Sequence, residues 1–523
     1  MGPTSTRWRA RVPRARSLAE VLAFLRTLDP GARLAAPSGP EPVDPRGLDR
    51  RTVDGVTLDS STAVPGDLFA GLPGAHRHGA EFAGAAARAG AVAVLSDRAC
   101  PVLPALVVPA PRRVLGPLAS WLHGDPSAAL DVHGVTGTNG KTSTVHLIAA
   151  ALGAAGRCVG SAGSLELRVG ERVRAAERTT VEAPALQEFL AAARDGGADD
   201  VALEVSSHGL ALDRVTGTRF RSAVFTNLSP DHLDLHGDLE GYYASKASLF
   251  TPDRCELAVV GVDDEAGRRL ARETRCPVVT FSAGGRAADW RALDVRADIT
   301  GTRFRLCGPG VDRKVRLRLL GAHQVDNALA AMAVVTAAGV DVDAALHGVE
   351  AVGVVPGRLE RVDVGQPFLA LVDFAHNVGG QRRLLPFLRS LTDGRLIVVL
   401  GATGQRDPAK RADLGAYVGA QADVAVVTDE SAHSDDPALL RAAVADAARR
   451  AGRAEVVVEP DRARAIALAV ATAAPGDVVL LAGRGADRVQ ISDAGRRDLD
   501  DRVALRHALV EHAAPAWDAP LAG

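Results

Sequence analysis

Nine residues, Gly134-Val135-Thr136-Gly137-Thr138-Asn139-Gly140-Lys141-Thr142, constrain this chain more than any other part of it. An apolar stretch, Leu130 to Val135, leads into them, and a helix-like run, Thr144 to Ala155, leads out. Strand, glycine-rich turn and helix in that order are the setting in which a turn ending in Lys-Thr wraps its backbone amides around nucleotide phosphates. Gly137 and Gly140 let the backbone approach an anion without a clashing Cβ, and the free N–H groups at the helix start supply positive potential. Thr138, Asn139 and Ser143 belong to the same turn, Lys141 is placed to hold the terminal phosphates, and Thr142 is placed to bind Mg²⁺. The strict G-x-x-x-x-G-K-[ST] spacing asks for glycine where Val135 stands, so the loop is a variant. The competing reading is a glycine-rich turn with no ligand.

A chain of 523 residues exceeds one ordinary core, and length alone suggests about three domains. The first segment, 1–125, is broken by proline clusters around short pieces such as the strand Val56 to Ser60 and the turn at Pro65-Gly66. From 126 to 355 the phosphate loop is followed by strands at Val201 to Val205, Ser222 to Thr226 and Leu257 to Val262, each trailed by a polar turn and a helical run. After Pro356-Gly357 the alternation restarts with Leu369 to Asp373, Leu396 to Leu400, Val424 to Thr428, Glu455 to Glu459 and Val478 to Ala482. Such alternation predicts an α/β protein: a central, mostly parallel sheet carrying the phosphate loop, then a second Rossmann-like α/β unit over 356–523.

A net charge of −2 gives no basic field for nucleic acid and no polybasic patch for a membrane. No apolar run of ~18 residues escapes interruption, so no span is expected. Arg7, Arg9, Arg11, Arg14 and Arg16 precede Leu18 to Leu28, but Glu20 and Arg26 interrupt that segment, so it lacks a signal-like apolar region. The five cysteines include no C-x-x-C pair, which fits reduced thiols in a cytosol and argues against a cysteine metal site. Lysine is scarce: only Lys141, Lys246, Lys314 and Lys410 occur, against 57 arginines. In such a chain a lysine marks a place that needs a compact primary amine, although Lys314 reads as an ordinary surface residue.

Open parallel sheets hold ligands at the C-terminal ends of their strands. Glu204 ends one predicted strand and opens Glu204-Val205-Ser206-Ser207-His208. Another strand runs into Asn227-Leu228-Ser229-Pro230-Asp231-His232-Leu233-Asp234. Oxygen ligands and an imidazole beside a phosphate loop point to Mg²⁺ sites, whereas each residue alone reads equally as a cap.

These segments together resemble the Mur ligase family, in its UDP-N-acetylmuramoyl-tripeptide synthetase (MurE) type. The matching stretches are Gly134 to Thr142, Thr179-Thr180-Val181-Glu182-Ala183-Pro184, Glu204 to His208, Asn227 to His236, Tyr243-Ala244-Ser245-Lys246, Gly357-Arg358-Leu359-Glu360 and Arg406-Asp407-Pro408-Ala409-Lys410-Arg411, in family order over nearly the whole chain. The resemblance implies the three-domain Mur ligase architecture: a UDP-sugar-binding domain over 1–125, a P-loop ATPase domain over 126–355 and an amino-acid-binding domain over 356–523. It implies an ATP-dependent ligase in which ATP phosphorylates the terminal carboxylate of UDP-MurNAc-L-Ala-D-Glu and an amine attacks the acyl phosphate. Lys141, Glu204, His232 and Lys246 are then the catalytic positions. Thr142, Glu204, His232 and Lys246 are the metal positions, with Lys246 carbamylated; its competing reading is an exposed lysine on a helix from Tyr242 to Phe250. Asn327 resembles the adenine contact, and Arg358 and Asp373 resemble phosphate and ribose contacts, with His376 nearby. Ser60, Thr179, Thr180, Ser206 and Arg214 match UDP-sugar contacts. Arg406, Asp429, Gly483 and Asp487 match the amine site. The implied setting is a cytoplasmic monomer acting on small molecules, with no nucleic acid and no membrane.

The pattern that selects meso-diaminopimelate is altered. Asp-Asn-Pro-Arg stands here as Asp429-Glu430-Ser431-Ala432, and Gly-Lys-Gly-His-Glu as Gly483-Arg484-Gly485-Ala486-Asp487. An arginine that would clamp a distal carboxylate is missing, at a cost of a few kcal/mol for that contact. The Phe374-Ala375-His376-Asn377 segment also departs from the family pattern. Two other readings follow: a paralogue joining another amine or acceptor in specialised metabolism, and a non-catalytic binding protein that kept the fold.

Overall fold

The computed structural model describes residues 8, 10, 12–37, 51–74, 76–406 and 408–513. Arg7, Arg9, Arg11, Pro40, Pro42, Pro45 and Asp407 lie outside the described residues.

Each of three large sheets has its own core. In the first, strands run in the order Arg33–Ala35, Ala105–Val107, Ala93–Ser96, Asp67–Ala70, Gly55–Thr57, parallel except for the Arg33–Ala35 edge. Helices Leu18–Leu28 and Pro111–Leu122 pack their apolar stripes on it through Leu18, Val21, Leu25, Leu115 and Leu118. The first of these helices starts at a capping box, Ser17 with Glu20, which satisfies two otherwise orphan N–H groups.

The central sheet has eleven strands. A parallel run, Val159–Ala162, Asp200–Glu204, Asp131–Thr136, Ser222–Phe225, Ala258–Gly261 and Val278–Ser282, forms its middle. Sequence alternation predicts this part because strands covered on both faces read as continuous apolar runs. Antiparallel pairings flank it: Glu166–Val169 and Arg172–Ala175 extend one side, while on the other Trp290–Asp298 joins parallel to Val278–Ser282 and is followed by antiparallel Gly301–Gly308 and Val311–Leu317. These hairpins are missed by an alternation reading; their signals are the short turns at Gly170, Gly301 and Gly310, where φ is positive.

The third sheet runs Glu360–Arg361, Leu369–Asp373, Val478–Ala482, Leu396–Leu400, Val424–Val427, Glu455–Val458, parallel but for the first strand. One face is covered by helices Val378–Ser390 and Pro408–Gln421, the other by Arg462–Thr472 and Asp501–Ala513. Among the described residues no helix is long and apolar enough to cross a membrane.

Candidate active site

Register brings four strand ends level in the central sheet. Glu204 pairs with Val135, Leu203 with Ala162, and Phe225 with Thr136. The turn after Asp131–Thr136, the turn after Val159–Ala162, and the segments following Glu204 and Phe225 therefore meet on one rim. On that rim Gly137 has φ 144° and Gly140 has φ 93°, conformations that favour glycine. Space demands glycine as well: a Cβ on Gly137 would sit 1.9 Å from Thr226 Oγ1, and one on Gly140 would sit 2.4 Å from Asn327 Oδ1. The loop is braced from the next strand, since Thr226 Oγ1 donates to Asn139 O at 2.7 Å and Asn139 N–H donates to Asn227 Oδ1 at 3.1 Å. Thr138 Oγ1 donates to Ser229 O at 3.1 Å, and Ser143 is buried in the first turn of helix Lys141–Ala154.

Two lysines converge on the same carbonyl. Lys141 Nζ donates to Gly137 O and Thr138 O, both at 3.0 Å, while Lys246 Nζ donates to Gly137 O at 2.9 Å from the helix Leu239–Ala247. Lys246 is 1% exposed and lies 4.4 Å from the Tyr242 ring centroid, which disposes of the exposed-lysine reading. Burial, then the neighbouring Lys141 charge, pulls its ammonium well below the ordinary lysine range. A low ammonium pKa means available neutral amine, the form that adds CO₂.

A second chain of contacts leaves the loop on the other side. Arg358 Nη2, from the segment entering the third sheet, donates to Thr142 Oγ1 at 2.9 Å, and its guanidinium lies over the Phe374 ring. Thr142 Oγ1 and Ser164 Oγ are 3.1 Å apart. Ser164 donates twice to Glu204 Oε1, from N–H at 2.8 Å and from Oγ at 3.0 Å. The geometry thus joins Thr142 to Glu204 through Ser164, a residue the sequence did not single out.

Asp231 forms a further contact with the third sheet's residues. Lys410 Nζ donates to it at 2.8 Å and Asn377 Nδ2 at 2.9 Å, with His376 Nε2 at 3.5 Å and His232 Nε2 at 3.7 Å. Burial works against its ionised form, yet the His376 contact and the surrounding cations hold the carboxyl well below the usual carboxylate range. His232, in a left-handed backbone conformation with φ 54°, has its ring 4.8 Å from that of His208. Burial pushes His232 down to about 3 and His208 down to about 4, so both rings are neutral near pH 7.

Beyond Glu204 a polar shelf continues. Thr180 Oγ1 donates to Glu204 O at 2.9 Å and accepts Ser206 N–H at 2.9 Å, while Arg214 Nη1 donates to Thr180 O at 3.1 Å. Glu182 gathers Arg214 and, from the first sheet's helix Pro111–Leu122, Arg112, each at 3.0 Å. Thr179 and Thr180 line a small cavity with Gly163 and Glu204. Ser60 is on the turn after strand Gly55–Thr57.

Asn327, buried on helix His323–Ala337, accepts from Thr144 Oγ1 at 3.2 Å and donates to Gln324 Oε1 at 2.9 Å, so in this conformation its amide braces the loop's helix. Asp373 accepts the N–H groups of Leu359 and Ala375, both at 2.7 Å, shaping the turn that presents Arg358 and His376. At the far strand ends, Asp429 pairs with Arg441, and Gln490 Nε2 donates to Asp429 O at 3.2 Å. Glu430 Oε1 accepts from Thr403, while Glu430 Oε2 is buried beside Gly483, where an added Cβ would approach to 2.8 Å. Arg406 and Asp487 are exposed, and Ala432 is buried.

Among the described residues no three His, Cys, Asp or Glu side chains stand together so as to hold a metal ion. One hydroxyl, Thr142, and one carboxylate, Glu204, do stand together through Ser164, and both are hard donors. That pair suits Mg²⁺, which keeps waters and binds through one or two protein oxygens plus substrate phosphates. Neutral His232 offers a nitrogen, and Lys246 offers an oxygen only as a carbamate.

Sequence models of three known domains match this chain: the Mur ligase family catalytic domain over residues 52–112, the Mur ligase middle domain over 135–335, and the Mur ligase glutamate ligase domain over 357–485. Among characterised relatives, the UDP-N-acetylmuramoyl-L-alanyl-D-glutamate–2,6-diaminopimelate ligase of Streptomyces avermitilis is 48% identical over 468 residues, 87% of this chain and 92% of that protein. The UDP-N-acetylmuramyl-tripeptide synthetase of Leifsonia xyli is 40% identical over 526 residues, covering 97% and 99%. A solved UDP-N-acetylmuramoyl-L-alanyl-D-glutamate–2,6-diaminopimelate ligase superposes with a TM-score of 0.62 at 28% identity, covering 91% of this chain and 98% of that one. Thermotoga maritima MurF ligase, solved with ADP, has a TM-score of 0.62 at 19% identity, covering 88% and 96%, a likeness of fold.

Proposed function

This chain belongs to the Mur ligase family, and from that premise we propose that it is an ATP-dependent amide ligase of the tripeptide-synthetase type. It activates the terminal carboxylate of a UDP-MurNAc-L-Ala-D-Glu-like acceptor as an acyl phosphate and joins it to an amino acid, a step of peptidoglycan precursor synthesis. The convergence of Lys141 and Lys246 on Gly137 O at the phosphate loop carries this reading. A surface lysine would not be buried against a loop built for phosphates.

The chemistry asks the protein to bring anions together, and its cations and oriented N–H groups stand where they would do so. Lys141, with residues 137–143 and the N-terminus of helix Lys141–Ala154, holds the ATP phosphates. Arg358 and Asp373 reach the nucleotide from the third sheet, and Asn327 contacts the adenine. Thr142 and Glu204 hold Mg²⁺, with His232 and the Lys246 carbamate completing the metal positions. Mg²⁺ when bound neutralises phosphate charge and screens the repulsion between nucleotide and acceptor carboxylate. The neutral amine of Lys246 takes up CO₂ to give a carboxylate-like group, a conversion open to lysine and closed to arginine. Thr179, Thr180, Ser206 and Arg214 orient the acceptor, with Ser60 at its uridine end. Arg406, Asp429, Gly483 and Asp487 flank the incoming amine. The domains are read as UDP-sugar binding over 1–125, ATPase over 126–355 and amino-acid binding over 356–523, with the acceptor's peptide end reaching the second and ATP shared by the last two. The reading includes a monomer acting on small molecules in the cytoplasm.

A second reading is favoured by one observation. Ala432 is buried where a carboxylate-clamping arginine is expected, and Glu430 beside it is acidic. This argues against meso-diaminopimelate as the amine and suits a paralogue serving specialised metabolism, whereas an arginine supplied from elsewhere, Arg406 or Arg411, and the 48%-identical relative named for 2,6-diaminopimelate argue for it. Phosphate release from MgATP with UDP-MurNAc-L-Ala-D-Glu, screened against amino acids including lysine and both diaminopimelate isomers, tests both. Release that depends on one amino acid establishes the tripeptide synthetase and names its amine; silence with every amine, while ATP still binds, transfers the reading to a different acceptor.

A further inference from the structure

The hydrogen bonds between Arg358 and Glu204 have a direction that chemistry fixes. A guanidinium only donates, so Thr142 Oγ1 accepts from Arg358 and must turn its own hydrogen elsewhere. The remaining near oxygen is Ser164 Oγ at 3.1 Å. A carboxylate only accepts, and Ser164 Oγ sends its hydrogen to Glu204 Oε1 at 3.0 Å. The order is Arg358 N–H to Thr142 O–H to Ser164 O–H to Glu204 Oε1, with Ser164 the relay that lets one donor, one acceptor and two hydroxyls agree. Its main-chain N–H adds a second bond to the same Glu204 oxygen at 2.8 Å.

Local backbone is shaped for this contact. Ser164 sits in the turn between Val159–Ala162 and the antiparallel strand Glu166–Val169, two residues past Ala162, whose partner Leu203 precedes Glu204. A Cβ on Gly163 would lie 2.2 Å from Glu204 Oε1 and 2.7 Å from its carboxyl carbon. Glycine at 163 is what allows the Ser164 N–H to come within hydrogen-bond distance of that oxygen. The two bonds engage Oε1 and leave Oε2 as the oxygen of Glu204 outside the relay.

We propose that Ser164 is the positioning residue of the Thr142–Glu204 pair, fixing which Glu204 oxygen and which lone pair of Thr142 Oγ1 face a divalent cation carried by ATP. This rests on the ATP-ligase reading above and adds a residue to it. Ser164 itself is not a ligand in this role: it sets the carboxylate rotamer and the direction of the Thr142 hydroxyl.

The test is Mn²⁺ binding to the full chain in the presence of a non-hydrolysable ATP analogue, followed by electron paramagnetic resonance, beside the Mg²⁺ dependence of phosphate release. Ser164→Ala keeps the backbone N–H and removes the relay. It is expected to weaken Mn²⁺ affinity about tenfold, the usual scale of one hydrogen bond to a charged group, and to raise the Mg²⁺ concentration for half-maximal phosphate release by a similar factor. Thermal unfolding stays where it was. Ser164→Thr keeps the hydroxyl and returns both quantities to within about twofold of the parent. Gly163→Ala, which drives a methyl into Glu204, is expected to match or exceed the Ser164→Ala loss. Unchanged Mn²⁺ affinity in Ser164→Ala, with parental Mn²⁺ binding intact, overturns the role of Ser164 and leaves the ligase reading standing. Failure of the parent chain to bind Mn²⁺ with the analogue overturns both.

Discussion

Asp501 is the most instructive residue to remove. Its carboxylate takes two bonds from Arg462, Nε at 2.8 Å and Nη2 at 2.6 Å, and both side chains are 0% exposed. The pair ties helix Arg462–Thr472 to the start of helix Asp501–Ala513, and Arg462 Nη2 also donates to Ala482 O at 3.0 Å, one residue before Gly483. Asp501→Asn keeps the volume and strands a buried guanidinium, for which breaking a buried pair costs about 3–5 kcal/mol. Arg484 Nε, 3.6 Å from the same carboxylate, loses a counter-charge too, which places the cost toward the upper end. For a unit of this size that is roughly a 10 °C fall in the unfolding of the third domain. Replacing both partners by apolar residues, Arg462→Met with Asp501→Leu, removes the buried charges together. It leaves Ala482 O without its partner at about 1 kcal/mol and Arg484 without its counter-charge, so the double variant is expected to recover part, not all, of the single variant's loss. Denaturant unfolding of the two singles and the double measures the coupling directly. A single Asp501→Asn loss below about 1 kcal/mol, or a double variant as unstable as that single, refutes the reasoning.

Lys246→Ala is expected to reduce amine-dependent phosphate release about 100-fold or more, with partial recovery on adding formate or acetate; full activity without them removes the carbamate role. Gly140→Ala, which forces a Cβ at φ 93° to within 2.4 Å of Asn327 Oδ1, should weaken ATP-analogue binding at least tenfold in a titration; parental affinity would show that the loop relaxes freely. Two neighbours on helix His323–Ala337 pull the pH dependence of stability in opposite senses. Burial lowers His323 to about 4, so the unfolded chain takes up its proton first and stability is lost as pH falls from about 6.5 to 4. Burial raises Asp326 to about 6, so the folded chain holds the extra proton and stability is lost as pH rises from about 4 to 6. Each is worth at most about 3 kcal/mol, so His323→Gln should make stability rise toward acid and Asp326→Asn should make it fall more steeply. Denaturant midpoints from pH 4 to 7.5 that run parallel to the parent for both variants contradict this assignment.

Leu369–Asp373, Leu396–Leu400 and Val478–Ala482 are legible in the sequence to the residue, because strands buried on both faces are continuous apolar runs ended by polar turns. The phosphate loop is legible because its glycines are demanded by backbone and space together. Ser164 is illegible for a topological reason: the strands that surround the loop lie in the order Val159–Ala162, Asp200–Glu204, Asp131–Thr136, and no local pattern states that order. Asp231 stood inside a visible cluster, but its partners Asn377 and Lys410 come from 146 and 179 residues away. The antiparallel edges were missed because exposed hairpins carry little of the apolar signal that marks the parallel middle.

Three of the four lysines, Lys141, Lys246 and Lys410, close on one cleft, where they meet Gly137 O and Asp231; Lys314 lies exposed on strand Val311–Leu317. Amine-directed reagents therefore find few targets on this protein. An acylating or aldehyde probe small enough to enter marks these three lysines, the exposed Lys314 and the chain's α-amine, and peptide mapping separates them. A composition that spends arginine everywhere else has made the side-chain amines of this chain a reporter of the proposed nucleotide site.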